Sequence, residues 1–253
     1  MAKKAIGVDI GGTGIKGAIV DVKNGTLVGE RVRYETPEGG HPDDIAAVVA
    51  KLVGDLKPAR ATLPVGVCFP AVVQHGRTMS AANVSKEWIG LDADGLFENT
   101  LQRHVHVLND ADAAGVAEMK FGAGKKRKGL VIMTTLGTGI GTALFMNGEL
   151  VPNAELGHLE IDGVDYETKA AYSAKERENL SFDQWAERLQ KYYSTLERLF
   201  SPDLIIVGGG ISKQWEEFLP KLSLRAEIVP AQKRNNAGIL GAAALAWKHS
   251  DKE

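Results

Sequence analysis

The stretch Asp9–Asp21, DIGGTGIKGAIVD, decides how the chain is read, because it returns in altered form about half a chain later. Aligning Thr13 with Thr138 sets GTGIKGAIV (12–20) against GTGIGTALF (137–145), and five of nine positions are identical. Each copy follows an apolar run, AIGVDI or LVIMTTL, enters another, and is followed by Asn-Gly, at Asn24-Gly25 and Asn147-Gly148. The pattern predicts strand, Gly-Thr-Gly turn, strand and a further hairpin, twice. Glycines let the backbone take positive φ and bring successive amide N–H groups close to a ligand, with the Thr hydroxyl as an additional donor. Such an arrangement suits phosphate oxygens. One loop alone reads better as a tight hairpin without a ligand; two matching copies in one chain weigh for phosphate.

A repeat at half-chain spacing in 253 residues favours two lobes of similar plan. The expected division is 1–110 and 111–253, each lobe with one phosphate loop, and with the small-residue helix 237–249 packing back on the first lobe. Thirty Lys and Arg against 32 Asp and Glu leave a net charge of −2, so no overall basic field recruits nucleic acid, and an anionic ligand needs local cations. The single cysteine, Cys68, lies in the apolar run PVGVCF and reads as a buried, inert thiol; one cysteine makes neither a disulfide framework nor a cysteine zinc site within one chain. MAKK is followed by no apolar leader, and no stretch approaches the ~18 uncharged apolar residues of a membrane span. A cytoplasmic protein with no membrane partner is expected.

Along the chain, Ile45, Val48, Val49, Leu52, Val53 and Leu56 recur at helical spacing. PVGVCF (64–69) reads as a buried strand and VVQHG (72–76) as an extended piece, with His75 a turn residue before Gly76. Residues 80–94 lack periodicity and carry polar and aromatic groups suited to a functional loop. VHVLND (105–110) is a strand that ends at Asn109 and Asp110, where a helix begins. Ligands of open α/β sheets sit beyond the carboxyl ends of strands, so Asp110 is either a catalytic carboxylate or the helix N-cap. KKRK (125–128) is a solvated loop or an anion-binding edge. In NAELGHLEIDG (153–163), Glu155 and His158 are three residues apart, but Gly157 lies between them and no third ligand fits, so contacts to a polyhydroxylated ligand suit them better than a metal. Ser181 and Gln184 form a capping box for the longest helix, whose stripe Phe182, Trp185, Leu189, Tyr192, Leu196 and Leu199 is core or subunit interface. LIIVGGGIS (204–212) is a strand running into three glycines, with a helix expected near Ser212 and a second kind of phosphate or nucleoside site at its start. Neither G-x-G-x-x-G nor G-x-x-x-x-G-K-[ST] occurs, which argues against dinucleotide binding and against a P-loop enzyme.

Taken together, DIGGTGIKG, NDADAAG, LGTGIG, ELGH and VGGGIS stand in the order seen in the ROK family of sugar kinases and repressors, which the chain resembles over nearly its whole length. The resemblance implies an α/β, two-lobed actin/hexokinase-like (ribonuclease H-like) fold with an internal repeat and the active site in the interlobe cleft. Within the family the chain looks most like the actinobacterial polyphosphate glucokinases, the polyphosphate/ATP glucomannokinase type included. The activity this resemblance implies is phosphorylation of glucose, or mannose, at the 6-hydroxyl from polyphosphate or ATP with Mg²⁺, by a homodimer. A strictly ATP-dependent hexokinase or a sugar sensor is the alternative. Family repressors carry an N-terminal DNA-binding helix-turn-helix, for which a chain entering its first strand by Ala5 leaves no room, and an actin-like filament protein gives no reason for ELGH.

The resemblance also assigns roles. Asp110 resembles the general base. Asn83, Asn109, Glu155, His158 and Glu167 look like sugar-hydroxyl ligands. Gly11, Gly12, Thr13, Gly14 and Lys16 match the first phosphate loop, Gly137, Thr138 and Gly139 the second, and Gly208, Gly209 and Gly210 the element beside adenosine. The sequence departs from the family in two places. The zinc motif CxCGxxGCxE is replaced by IDGVDYETKAAYS, so zinc is not expected, though its closing glutamate survives as Glu167, followed by Ser173. Ala71 stands where many relatives have PG. Lys16, the 125–128 cluster, Lys213 and Arg234 are candidates for a basic track for polyphosphate.

Overall fold

The computed structural model describes residues 3–56, 63–82 and 84–250, apart from the side chain of Arg234. The chain divides into two compact units, 1–117 with 236–253 and 118–235. The boundary thus falls within a helix that starts at Asp110, a few residues beyond the expected one, and the last helix belongs to the first unit.

In the first unit β1 (Lys4–Gly11), β2 (Gly14–Asp21) and β3 (Thr26–Tyr34) run antiparallel. Helix α1 (Pro42–Asp55) leads to β4 (Val65–Phe69), parallel to β1, and a small hairpin of β5 (Val73–Gln74) and β6 (Arg77–Thr78) follows. Helix α2 (Ala93–Leu101), β7 (Val105–Asn109) and α3 (Asp110–Phe121) come next. The strand order is β3-β2-β1-β4-β7. Pro42 occupies the first turn of α1, where its missing N–H costs nothing, and Ile45, Val49, Leu52 and Val53 are buried. They join Val8, Val67, Phe69, Trp88 and Phe97 in the core on that side of the sheet. His75 and Gly76 take φ of 51° and 75° between β5 and β6, a primed hairpin turn, so His75 is the turn residue that the sequence predicts.

The second unit repeats the plan. Strands β8 (Leu130–Leu136), β9 (Ile140–Met146) and β10 (Glu149–Val151) are antiparallel, and Asn147 and Gly148, at φ 53° and 86°, make a two-residue turn between the last two. A hairpin of β11 (Glu160–Ile161) and β12 (Val164–Asp165), short helices α4 (Glu167–Ala170) and α5 (Tyr172–Arg177), and the long α6 (Phe182–Phe200) precede β13 (Leu204–Gly208) and β14 (Glu227–Pro230). Their order is β10-β9-β8-β13-β14, in which β8, β9, β10, β13 and β14 stand where β1, β2, β3, β4 and β7 stand in the first sheet. The sequence repeat is therefore a repeat of sheet topology. The capping box at Ser181 and Gln184 is present, and Trp185, Leu189, Tyr192 and Leu196 are fully buried, so the α6 stripe is core except at Leu199, which is 56% exposed.

Helix α7 (Ala237–Ser250) covers the other face of the first sheet. A Cβ on Gly7 of β1 would lie 2.0 Å from the Ile239 carbonyl oxygen, one on Gly66 of β4 equally close to that of Ala242, and one on Gly241 1.7 Å from that of Ala113 in α3. Backbone meets backbone there, which is why the helix is built of Gly and Ala.

Replacing Gly241 by Ala should destabilise the protein by about 1–3 kcal/mol, because overpacking outweighs the gain in helix propensity. The control is Gly54→Ala in α1, where nothing lies within 4 Å of the added Cβ. It should stabilise by roughly 0.5–1 kcal/mol. Urea unfolding of both variants checks the pair. A second expectation concerns His106 of β7, stacked on His249 of α7 with ring centroids 4.2 Å apart. Burial first, then the charges of His249 and His104, depress its pKa from 6.5 to about 4. The unfolded state then binds more protons between those values, so stability should fall as pH drops from 6.5 towards 4, by up to about 3 kcal/mol. His106→Leu should flatten stability curves measured across that range.

Candidate active site

Strands β1 and β2 pair up to Gly11 opposite Gly14, leaving Gly12 and Thr13 as the turn. Contrary to the sequence expectation, Gly11 and Gly14, and likewise Gly137 and Gly139, do not take positive φ. Gly14 and Gly139 require room instead. A Cβ on Gly14 would lie 2.8 Å from Nε of Arg33, whose Nη2 donates to the Thr13 carbonyl at 3.3 Å. The hydroxyl of Thr36 donates to the Gly11 carbonyl. The loop is thus braced from behind while Gly12 and Thr13 are exposed, and Arg33 adds a cation that no motif announced. Lys16 pairs with Asp9, Nζ to Oδ2 3.5 Å.

Asp9 lies opposite Cys68, and Cys68 opposite Leu108, across β1, β4 and β7. The Cys68 thiol donates to Asp9 Oδ1 at 3.6 Å, and burial, followed by the charges of Asp9 and Asp110, pushes it well up. Cys68 is therefore the inert thiol that the sequence predicts, and two carboxylates act on it near the carboxyl end of the first sheet. Asp9 was missed at the sequence level because its position inside a strand reads as structural.

The two readings of Asp110 are separated by its neighbour. Asn109 Oδ1 accepts the N–H groups of Ala111 and Asp112, at 2.8 and 3.1 Å, and so caps α3. Its Nδ2 donates to the Ala71 carbonyl at 3.0 Å, which ties the Ala71 loop to the helix start. Asp110 is the exposed first residue of α3, and its Oδ1 accepts from Ala111 N–H at 2.8 Å. The larger share of the cap belongs to Asn109, which is only 8% exposed and accepts two N–H groups where Asp110 accepts one.

In the second unit β8 and β9 pair up to Leu136 opposite Ile140, with Gly137, Thr138 and Gly139 as the turn. The Ser173 N–H and hydroxyl donate to the carbonyls of Gly137 and Thr138 at 3.0 and 2.6 Å, and Glu167 Oε2 accepts Ile140 N–H at 2.6 Å. A Cβ on Gly139 would lie 2.4 Å from that carboxylate, whereas Gly137 has open space. Glu167, expected as a sugar ligand, is thus also the brace of the second loop. Gly208 ends β13, and Gly209, at φ 85°, abuts the Leu136 carbonyl oxygen, so the triple glycine lies directly behind the same loop. The helix expected near Ser212 is a 3₁₀ helix, Gly210–Glu217, broken at Gln214; Ser212 turns its hydroxyl back to the Gly209 carbonyl at 2.8 Å rather than opening an α-helix.

The ELGH segment is held on β9. The Thr142 hydroxyl donates to the Ala154 carbonyl and accepts Leu156 N–H at 2.9 Å, and a Cβ on Gly157 would lie 2.0 Å from the Ile140 carbonyl oxygen. Leu156–His158 is a single 3₁₀ turn with Glu155 just before it. His158 Nδ1 is 2.8 Å from Asp165 Oδ2, and this bond, ahead of the charges of Glu167, Asp165 and Glu155, raises its pKa above 6.5. The structure thus groups Glu167 and the second loop in one constellation, and His158 joins it through Asp165. Asp165 and Ser173 act here without having been predicted as site residues. Asn83 lies outside the described residues, as does the side chain of Arg234. In the KKRK cluster Arg127 is engaged with Glu227 at 2.7 Å.

Two five-stranded sheets of matching order, each opening at a Gly-Thr-Gly turn, define the sugar-kinase version of the actin/hexokinase-like, ribonuclease H-like fold. Residues 5–171 match the ROK family, and the chain belongs to it. It is 44% identical over 242 residues to a polyphosphate glucokinase of Mycobacterium tuberculosis, covering 95% of this chain and 90% of that one. The crystal structure of the inorganic polyphosphate/ATP-glucomannokinase from Arthrobacter sp. strain KM superposes with a TM-score of 0.91 at 56% identity, over 97% of this chain and 99% of that one. A ROK family glucokinase from Streptomyces griseus, solved with glucose and AMPPNP, shares the fold at TM-score 0.81 and 24% identity, over 97% and 99%.

If Asn109 is the main cap, Asn109→Ala should cost about 1–2 kcal/mol, and Asp110→Ala, which removes a favourable charge and one acceptor for the Ala111 N–H that Asn109 also holds, less than about 1 kcal/mol. Chemical denaturation of the two variants reads the order directly, and the reverse order would return the cap to Asp110.

Proposed function

We propose that the protein transfers a phosphoryl group from inorganic polyphosphate to the 6-hydroxyl of glucose, with Asp110 as general base. ATP is the second donor to assay and mannose the second acceptor. The observation that supports the reaction is 44% identity, over nearly the full length of both chains, to a polyphosphate glucokinase. The geometry around Asp110 supports its role: its neighbour Asn109 accepts two N–H groups of the first turn of α3 where Asp110 shares one, and Asp110 stands at the end of a strand, where substrates of α/β proteins bind.

In this mechanism the 6-hydroxyl oxygen attacks the terminal phosphorus while its proton passes to an Asp110 carboxylate oxygen, and the bond to the shortened donor breaks. The work left to the protein is positioning and charge neutralisation. In the first unit, backbone N–H groups of Gly11–Gly14 with Lys16 bind donor oxygens, and Arg33 holds that loop in shape. In the second unit, Gly137, Thr138 and Gly139 do the same, Gly208–Gly210 flank adenosine when ATP is the donor, and Glu155, His158 and Glu167 take sugar hydroxyls. Asn109 offers its remaining N–H, and Asn83 is a further hydroxyl ligand. Mg²⁺ belongs to the proposal. Its ligands would be mainly donor oxygens and water. Asp9, beside Lys16, is the carboxylate that would complete its shell. A homodimer and a cytoplasmic location are part of the same reading, supported by exposed Leu199 in an otherwise buried apolar stripe and by a single unpaired cysteine. Among the described residues no helix is long and apolar enough to cross a membrane.

Incubation with glucose, Mg²⁺ and either polyphosphate or ATP should yield glucose 6-phosphate; absence of product from both donors, with any hexose, would defeat the proposal. In the same assay Asp110→Asn should lower kcat by ~10²–10⁴-fold. Its glucose affinity and melting temperature should stay close to those of the unaltered protein, and turnover within a few-fold of normal would remove Asp110 from the chemistry.

A further inference from the structure

Asp165 stands at the end of a hairpin whose register is fully specified. Asp162 and Gly163, at φ 53° and 74°, form a two-residue primed turn, Ile161 pairs with Val164, and Glu160 pairs with Asp165. The ladder continues where Tyr166 N–H donates to the Leu159 carbonyl at 3.0 Å. Ile161 and Tyr166 anchor the hairpin in the core of the second unit. The chain therefore returns Asp165 beside His158, two residues ahead of the hairpin.

Both oxygens of the carboxylate are used. Oδ2 faces His158 Nδ1 at 2.8 Å, and Oδ1 accepts the N–H of Glu167 at 3.2 Å, while the Asp165 carbonyl accepts the Thr168 hydroxyl at 2.6 Å. The side chains of His158 and Asp165 are 55% and 46% exposed, and an ion pair in that setting adds little stability. What the contact does provide is orientation, and it provides it twice.

We infer that Asp165 is the positioning residue of the hydroxyl-binding set, one carboxylate that fixes the ring of His158 and the backbone that carries Glu167. The inference rests on the proposed sugar kinase activity. An ionised carboxylate only accepts, so it holds the proton of a neutral His158 on Nδ1 and leaves Nε2 as the lone-pair atom that receives a hydroxyl O–H. Without it the ring turns freely and changes tautomer, and a bound hydroxyl meets a donor as often as an acceptor. Glu155 and Glu167 also face the ring, but as charges rather than hydrogen-bond partners. Glu167 passes the constraint on, since its other end holds Ile140 N–H beside Gly139.

The test uses full-length Asp165→Ala, Asp165→Asn, His158→Ala and the His158→Ala/Asp165→Ala double variant, with ¹⁵N NMR of the histidine rings beside steady-state kinetics. In the unaltered protein His158 should appear as the Nδ1–H tautomer with a pKa above 6.5. Asp165→Ala should mix the tautomers, lower that pKa and raise the glucose KM by about tenfold, in the range seen when groups that orient a ligating histidine are removed. Asp165→Asn, which keeps an acceptor oxygen, should restore much of the KM. The double variant should lose clearly less than the product of the two single losses. An unchanged His158 tautomer in Asp165→Ala, or fully multiplicative losses in the double variant, overturns the inference. A His158→Ala enzyme with unaltered glucose KM instead removes His158 from the proposed sugar site, while the NMR result still decides whether Asp165 holds the ring. If Asp165→Ala fails to fold, Asp165→Ser, whose shorter side chain does not reach the His158 ring, carries the same tautomer and KM measurements with the same outcomes.

Discussion

The backbone of α7 lies so close to Gly7 and Gly66 that no side chain fits between helix and sheet, and much of the first unit depends on that exclusion. The approach seats the start of α7 against β1 and β4, where a Cβ on Gly238 would lie 3.0 Å from the Asp9 carboxyl carbon and 3.2 Å from the Cys68 sulfur. Asp9 is therefore confined between helix and sheet while its other side meets Lys16. Close packing transmits position, because each displaced methylene would have to be absorbed by a neighbour already in contact. The end of the chain thus helps to set the carboxylate beside the first turn of the chain.

The second unit solves the same problem with polar neighbours. The Gly137–Gly139 turn has few side chains of its own to hold it, and Ser173 and Glu167 do so from outside. Rigidity of a turn built from glycine has to come from its surroundings, since glycine loses more conformational entropy than any other residue on being fixed. In the proposed reaction, pinning it in advance would lower the cost of ordering its N–H groups around phosphate oxygens. Thr36 and Arg33 play the corresponding part at the first turn, by different contacts. The duplicated motif has kept its turn and strand pairing while its braces have diverged.

Electrostatics explain why so few charges are needed. The net charge of −2 gives no general attraction for a polyanion, so in the proposed reaction binding would depend on local donors: backbone N–H groups of each turn, with Lys16 and Arg33 by the first. In the first unit the Asp110 carboxylate stands at the positive end of α3, where Asn109 bonds the N–H groups of Ala111 and Asp112 and Asp110 shares that of Ala111. That division of labour between adjacent residues lets Asp110 be exposed without unravelling the helix.

Much of this was legible in the sequence alone. The repeat of GTGIKGAIV in GTGIGTALF determined two strand-turn-strand units, Asn-Gly marked the hairpin after the second, and Ser181 with Gln184 marked the start of α6, because local backbone preferences and capping bonds span only a few residues. The candidate site residues were also nameable from motif order. What the sequence could not supply was contact between residues far apart in the chain: Arg33 behind Gly14, Asp9 against Gly238, Ser173 on Thr138, Glu167 on Ile140, and Asp165 on His158. Positive φ does not explain the glycines of the two turns, of which Gly14 and Gly139 are held by close neighbours while Gly137 is not, and the sequence left Asn109 and Asp110 undivided. Those decisions belong to tertiary structure, since van der Waals exclusion and hydrogen-bond partnership depend on which atoms arrive at the same place, and neighbours in space are not encoded by spacing along the chain.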